Sequence, residues 1–162
     1  MSSGFTHEST HNESQEWYTP PELFAHLGAH FDLDPCAAPL PYRDFVPATR
    51  RLTVAENGLT APWEGTVFMN PPYGQLTPKW MHRFIAHDNG IALVFSRTDT
   101  AWFHTLPSHA LLCFLRGRLK FRRPDGYHAG TPGAGSLLVA LGEVPTTQLR
   151  QAHLGRYCRT ES

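Results

Sequence analysis

Five consecutive apolar residues, Ile91-Ala92-Leu93-Val94-Phe95, leave a strand with no polar face, and such a strand has to be covered on both sides. A second short run, Thr66-Val67-Phe68-Met69, reads the same way. Phe31-Asp32-Leu33-Asp34 is a third strand, stopped by Pro35. Covering helices are present between them. Leu23, Phe24 and Leu27 form one face of a short helix ending near Gly28. Thr19 is placed as its N-cap, Pro20 sits at the first helical position and Glu22 can close a capping box. Thr77-Pro78 caps a second helix with a stripe of Trp80, Met81, Phe84 and Ile85. Asp99-Thr100 starts a short helix carrying Trp102, Phe103 and Leu106. Residues 111–115, a basic continuation to about Arg122 and residues 137–141 are β, and a polar helix is expected over 146–156. The stretch 37–51 is proline-rich and reads as an irregular crossover where a strand of the sheet is missing or shrunken. This order predicts an α/β sheet that is parallel except at one edge, with a C-terminal antiparallel hairpin.

A chain of 162 residues makes one domain with a real core. Residues 1–15 are polar and expected to be a disordered leader, neither signal peptide nor anchor. Residues 16–145 form the domain, and 146–162 a C-terminal helix and tail. No apolar run approaches membrane-spanning length. Cys36, Cys113 and Cys158 are odd in number, with no paired spacing, which argues for a reducing compartment and against a zinc site or disulfide framework. His7 and His11 lie in the leader, and no metal site is expected. Lys and Arg total 14 and Asp and Glu total 14, but the signs are segregated. Residues 1–34 hold six acids and no Lys or Arg, whereas residues 116–123 hold five bases and no acid.

The strand at 66–69 runs directly into Asn70-Pro71-Pro72-Tyr73, followed by Gly74. The two prolines remove backbone donors and prevent relaxation into helix. The corner therefore offers an amide acceptor, exposed carbonyls and an aromatic face at one rim. Those parts suit methylation of a flat, weakly nucleophilic exocyclic amine, whose protons must be held while its ring is stacked. Without the strand before it, the tetrapeptide is equally compatible with an ordinary proline-rich turn.

Ligands of open parallel sheets bind beyond the carboxyl ends of the strands. Asp34, Asn70 and the Ser96-Arg97-Thr98-Asp99 corner stand at such ends. Asp34 is followed by Pro35-Cys36-Ala37-Ala38, small enough for a ligand to approach the backbone, and is a candidate for the ammonium or hydroxyls of a charged cofactor. Asn57-Gly58-Leu59 is either a plain turn or a contact for an adenine edge, with Leu59 or Trp63 packing on the ring. There is no glycine-rich dinucleotide fingerprint and no phosphate-loop lysine. Arg116, Arg118, Lys120 and Arg122 alternate with Leu115, Leu119 and Phe121, so as a strand they share one face. Four like charges on one face call for an anionic partner; phosphate contact is favoured over a merely solvated edge. The Gly-rich loop 124–136 is expected to order on nucleic acid or cofactor.

Taken together, these residues resemble the phage-type DNA N6-adenine methyltransferases, the Dam-like family of phage and prophage genomes. The matching pieces are Glu16-Trp17-Tyr18-Thr19-Pro20, Phe31-Asp32-Leu33-Asp34, Asn57-Gly58-Leu59 with Trp63, Asn70-Pro71-Pro72-Tyr73-Gly74, Arg97-Thr98-Asp99-Thr100 with Trp102-Phe103-His104, Gly117-Arg118-Leu119-Lys120-Phe121, and Gly135-Ser136. They span about residues 16 to 142. The resemblance implies a compact Rossmann-like methyltransferase that uses S-adenosylmethionine on double-stranded DNA, in the cytoplasm of a bacterial host. It places Trp17, Tyr18, Thr19, Pro20, Asp34 and Pro35 around the methionine half of the cofactor and Asn57 and Leu59 at its adenine. Asn70, Pro71, Pro72 and Tyr73 take the flipped target base, with Tyr73 stacking on it, and Asn70 also adjoins the cofactor. Arg97, Asp99, Thr100, Trp102, Arg116, Arg118, Lys120 and Arg122 lie toward DNA. The chain departs from larger relatives in lacking a glycine-rich first loop, a clear acidic residue for the ribose and a separate recognition domain. Enzymes that methylate protein glutamine or an RNA base share the tetrapeptide. A non-catalytic DNA-binding relative is the alternative of a different class.

Overall fold

The computed structural model describes residues 17–41, 45–123, 128–130 and 132–160. The leader, with His7 and His11, and loop residues 124–127 and 131 lie outside the described residues. In chain order the elements are α1 (Pro21–Leu27), β1 (Phe31–Asp34), β2 (Ala48–Arg51), β3 (Val67–Met69), α2 (Thr77–His87), β4 (Gly90–Phe95), β5 (Leu111–Leu115), β6 (Phe121–Arg122), β7 (His128–Gly130), β8 (Ser136–Leu141), α3 (Glu143–Gln151) and β9 (Gly155–Arg159).

Seven strands make one mixed sheet in the order β2-β1-β3-β4-β8-β5-β9, and β6 with β7 forms a separate antiparallel pair. The strands β2, β1, β3 and β4 pair in parallel. The pairings β4–β8, β8–β5 and β5–β9 are antiparallel. Antiparallel pairing therefore reaches the middle of the sheet and is not confined to one edge. An apolar strand buried on both faces does not report its direction; the connections do. Between β4 and β5 there is no crossover helix, only turns and a single 3₁₀ turn at Phe103–Thr105, where the sequence predicts a short helix.

The core has two layers. On one side, Phe24 and Leu27 of α1 and Leu149 of α3 pack on Phe31, Phe68, Ile91, Leu93 and Leu138. On the other, Trp80, Met81 and Phe84 of α2 pack on Val67, Met69, Ala92, Val94 and Val139. Phe24 meets Phe68 edge-on with centroids 4.8 Å apart. Each fully buried side chain of this size contributes about 1.5–3 kcal/mol of transfer free energy. That two-sided burial is what the apolar runs predict.

Several local expectations are corrected. A strand does form in the supposed crossover: β2 pairs with β1 through Phe31↔Ala48 and Leu33↔Arg50. It is an edge strand with exposed Thr49, Arg50 and Arg51, so it carries no apolar signal. The last helix stops at Gln151, and the segment expected to prolong it is β9, hydrogen-bonded along β5. The basic run is not one strand, because Gly117 takes φ +78° and breaks the backbone before β6. Thr19 is not the cap of α1. Pro20 occupies the N-cap, no side chain caps the helix, and Glu22 pairs instead with Arg122 at 2.6 Å. Thr77 is likewise the first helical residue of α2 rather than its cap, the N-cap being Leu76.

Candidate functional site

Because β1, β3 and β4 are adjacent and parallel, their carboxyl ends bring Asp34, Asn70 and the Ser96 corner to one rim of the sheet. Local chain chemistry fixes the corner after β3. Pro71 and Pro72 block helix, and the Thr77 hydroxyl donates to the Pro72 carbonyl at 3.2 Å, tying the turn to the first residue of α2. Among the described residues, nothing donates to the Pro71 carbonyl.

The Asn70 side chain is held at both ends. Its Nδ2 donates to the Trp17 carbonyl at 2.6 Å and to Thr19 Oγ1 at 3.0 Å. Its Oδ1 accepts a hydrogen bond from the Tyr73 hydroxyl at 2.8 Å. Tyr73 is 9% exposed. Its ring stacks on Phe95 at 4.1 Å with planes 21° apart, and Phe121 meets it edge-on at 6.4 Å. Burial pushes the phenol far above its ordinary value, so it stays a neutral donor. The ring expected as an open stacking platform is thus largely covered, and the hydroxyl is directed at Asn70.

Asp34 is 2% exposed and its Oδ1 accepts the Cys36 N–H at 2.9 Å. Burial, and next the nearby Asp34 charge, raise the Cys36 thiol well above its usual range, which disfavours the thiolate. A crevice between these groups is lined by Tyr18, Thr19, Asp34, Cys36, Phe45, Val46 and Asn70. A carboxylate, a hydroxyl, an amide and two aromatic edges are chemistry that fits an ammonium-bearing nucleoside. The open space is only about 10 Å³, roughly one water molecule.

The segment at residues 17–19 forms one wall. Tyr18 and Arg122 exchange backbone hydrogen bonds, both at 3.0 Å, and the Trp17 ring meets Phe121 edge-on at 5.6 Å. Trp17, Tyr18, Thr19, Asp34 and Asn70 are therefore brought together, whereas Pro20 and Pro35 do not line the crevice. Asn57 and Leu59 do not line the crevice. Asn57 is exposed at φ +52°, and its Oδ1 accepts the Leu59 N–H at 3.3 Å, a turn-forming bond. The loop is nonetheless pressed against the site, since a Cβ on Gly58 would lie 2.2 Å from the Pro35 carbonyl oxygen.

Of the residues expected toward DNA, Arg97, Asp99, Arg116, Arg118 and Lys120 are exposed. Arg118 extends along the rim: a Cβ on Gly135 would stand 3.1 Å from its Nη1 and 3.7 Å from Ser96 Oγ. Thr100 donates its hydroxyl to the Arg97 carbonyl at 2.7 Å, shaping the corner. Trp102 is 3% exposed and belongs to the core, so its ring has no face left for DNA. Arg122 is tied to Glu22. Reading the sequence missed Phe95 and Phe121 as the bed of Tyr73, and Phe45 and Val46 as crevice walls. The signal for Phe95 was present, as the last apolar residue before the rim.

Among the described residues no group of three or more His, Cys, Asp or Glu could hold a metal ion, and no helix is long and apolar enough to cross a membrane. No curated protein and no solved structure matches the chain. A model of the family described as DNA N-6-adenine-methyltransferase (Dam) matches residues 7–145. That span contains the strand ends, the Asn70 corner and the segment that grips it, and so the chain belongs to the DNA N-6-adenine-methyltransferase (Dam) family.

Proposed function

We propose that this chain transfers a methyl group from S-adenosylmethionine to N6 of adenine in double-stranded DNA, with the target base drawn out of the helix to the Asn70 corner. The fold is then a compact Rossmann-like methyltransferase. The observation that carries the reading is the Asn70 amide, fixed with its oxygen at a rim beside buried Asp34.

A stacked adenine hides its amino group, so the base has to leave the duplex. Asn70 Oδ1 and the Pro71 carbonyl accept hydrogen bonds from the two amino N–H groups, one of which loses its proton to solvent as the nitrogen gains its methyl group. This draws the nitrogen lone pair out of conjugation and aims it. Both acceptors belong to a corner that proline and the Thr77 bond keep from relaxing, so the gain is positional and electrostatic. Asp34 holds a cationic ammonium, with Tyr18, Thr19 and Phe45 shaping the same crevice. Bound S-adenosylmethionine supplies an electrophilic methyl group on a sulfonium. No covalent bond to the protein is required, in keeping with a half-buried Cys36 whose thiol pKa is raised well above its usual range. Arg97, Arg116, Arg118 and Lys120 contact phosphates, which position the duplex without reading its sequence.

The test is direct. DNA from cells expressing the wild-type chain should carry N6-methyladenine by single-molecule sequencing, and DNA from cells expressing Asn70→Ala should not. Equal modification in both would end the assignment of Asn70. Calorimetric titration with S-adenosylmethionine should give heat with either protein; a non-catalytic DNA binder would give none.

A further inference from the structure

We infer that the Trp17 carbonyl, the Thr19 hydroxyl and the Tyr73 hydroxyl form a three-point clamp that sets which end of the Asn70 amide faces the target amine, making Thr19 and Tyr73 positioning residues. This rests on the methylation reading for its consequence, though not for its geometry.

An asparagine amide has an accepting end and a donating end of nearly equal size, and rotation by half a turn exchanges them. An exocyclic amine that donates hydrogen bonds through its N–H groups needs the oxygen; the nitrogen end, itself a donor, would repel it. Here the ambiguity is removed by chemistry. A backbone carbonyl only accepts, so the atom 2.6 Å from the Trp17 oxygen has to be Nδ2. The Thr19 hydroxyl takes the second proton at 3.0 Å. With both protons engaged, the amide has no donor left to present. The opposite end is set by Tyr73, whose hydroxyl donates to Oδ1 at 2.8 Å. A carbonyl-type oxygen accepts twice, so one lone pair remains for the amine.

The single hydroxyl proton of Tyr73 goes to Asn70 Oδ1 at 2.8 Å rather than to the Leu93 carbonyl at 3.4 Å. Its ring is stacked on Phe95 at 4.1 Å, and it is only 9% exposed. Thr19 is 3% exposed and caps no helix, so neither solvation nor helix capping accounts for a hydroxyl there. The clamp also explains why the residue is an amide. A carboxylate at position 70 would set an anionic oxygen against the Trp17 carbonyl.

The experiment has two independent readouts. In ¹⁵N-labelled wild-type protein, the Asn70 side-chain NH₂ should give two inequivalent proton resonances that exchange slowly with solvent, identified by their loss in Asn70→Ala. Thr19→Val should abolish the protection of one. In steady-state methylation, Thr19→Val and Tyr73→Phe should each lower kcat about tenfold to a hundredfold, the scale of a misplaced reacting group, with KM for DNA within about twofold. Thr19→Ser should restore most of the rate. Free-amide exchange at Asn70 in the wild type overturns the clamp without any variant having to fold. Wild-type kcat in both Thr19→Val and Tyr73→Phe overturns it as well, and leaves the methylation reading standing. A protected Asn70 amide in a wild-type protein that methylates no DNA overturns the methylation reading alone.

Discussion

At the rim where β1, β3 and β4 end, buried Asp34, clamped Asn70 and the Thr19 hydroxyl converge on a crevice with about 10 Å³ of open space. At the other rim, where β4 begins and β8 ends, a hollow of about 470 Å³ lies between Asp88, His109, Glu143, Arg150 and Arg159. By size alone the second is the ordinary ligand pocket. Three of its polar groups, however, already serve the fold. Asp88 closes α2 at φ +55° and bonds His109 at 2.7 Å, and Arg159 donates to the His109 carbonyl at 3.1 Å. Both members of the Asp88–His109 pair are half exposed. The hollow marks a seam where α2, α3 and β9 meet imperfectly. Convergence of buried polar groups, rather than volume, separates a site from a seam.

The contrast between the rims is tested most severely at Asn70. Asn70→Ala should lower the methylation rate about 10²–10³-fold, the loss typical of removing one preorganised polar group, while the protein still folds cooperatively with a lowered thermal midpoint; a methyl-incorporation assay and a melt measure both. Asn70→Asp should lose at least about tenfold, because the new carboxylate faces the Trp17 carbonyl; wild-type rate in this variant would mean the clamp is looser than its hydrogen bonds imply. Between the rims in effect stand the exposed cations. Replacing Arg118 and Lys120 with alanine should weaken DNA binding uniformly across sequences and lower the salt slope by about one for each phosphate left without its cation, measured by fluorescence anisotropy over a salt series. The opposite rim should be nearly silent. His109→Ala with Arg150→Ala should leave methylation within about twofold and cost less than about 1 kcal/mol of stability, as exposed pairs do. A large loss of activity there would reverse the assignment of the two rims.

The smallest effect concerns Asp32, whose carboxylate accepts hydrogen bonds from the Thr66 N–H at 2.7 Å and hydroxyl at 2.9 Å. These bonds hold its pKa below the ordinary 3.8. A lowered folded-state pKa gives stability that is present above 3.8 and is lost as pH falls through the folded value. Thr66→Val should therefore begin to lose this contribution at slightly higher pH, visible in melts taken between about pH 3 and 6.

What could be read in the sequence follows from how many faces a segment must satisfy. Ile91 to Phe95, buried on both sides, announced β4, and the polar residues directly after three strands announced the rim. The four residues of β2 are mostly exposed and sit at an edge, so nothing apolar marked them. The alternation of Arg116, Arg118, Lys120 and Arg122 suggested one strand, but period two needs an unbroken backbone and Gly117 at φ +78° breaks it. Thr19 looked like a helix cap because the sequence cannot show that Asn70, 53 residues from Trp17 in the bond that anchors it, competes for the same neighbourhood. Local rules failed where a distant residue held a stronger claim.

The grip of Trp17 and Tyr18 on the Asn70 corner and β6 has a kinetic consequence. Helices and neighbouring strands form early because their partners are close along the chain, whereas joining distant segments waits on loop closure. When unfolded chain is diluted from denaturant, circular dichroism should recover before methyl transfer does, because Trp17 and Tyr18 can dock only after Asn70 and Arg122 are both in place. On that order the Asn70 corner is completed after the sheet around it.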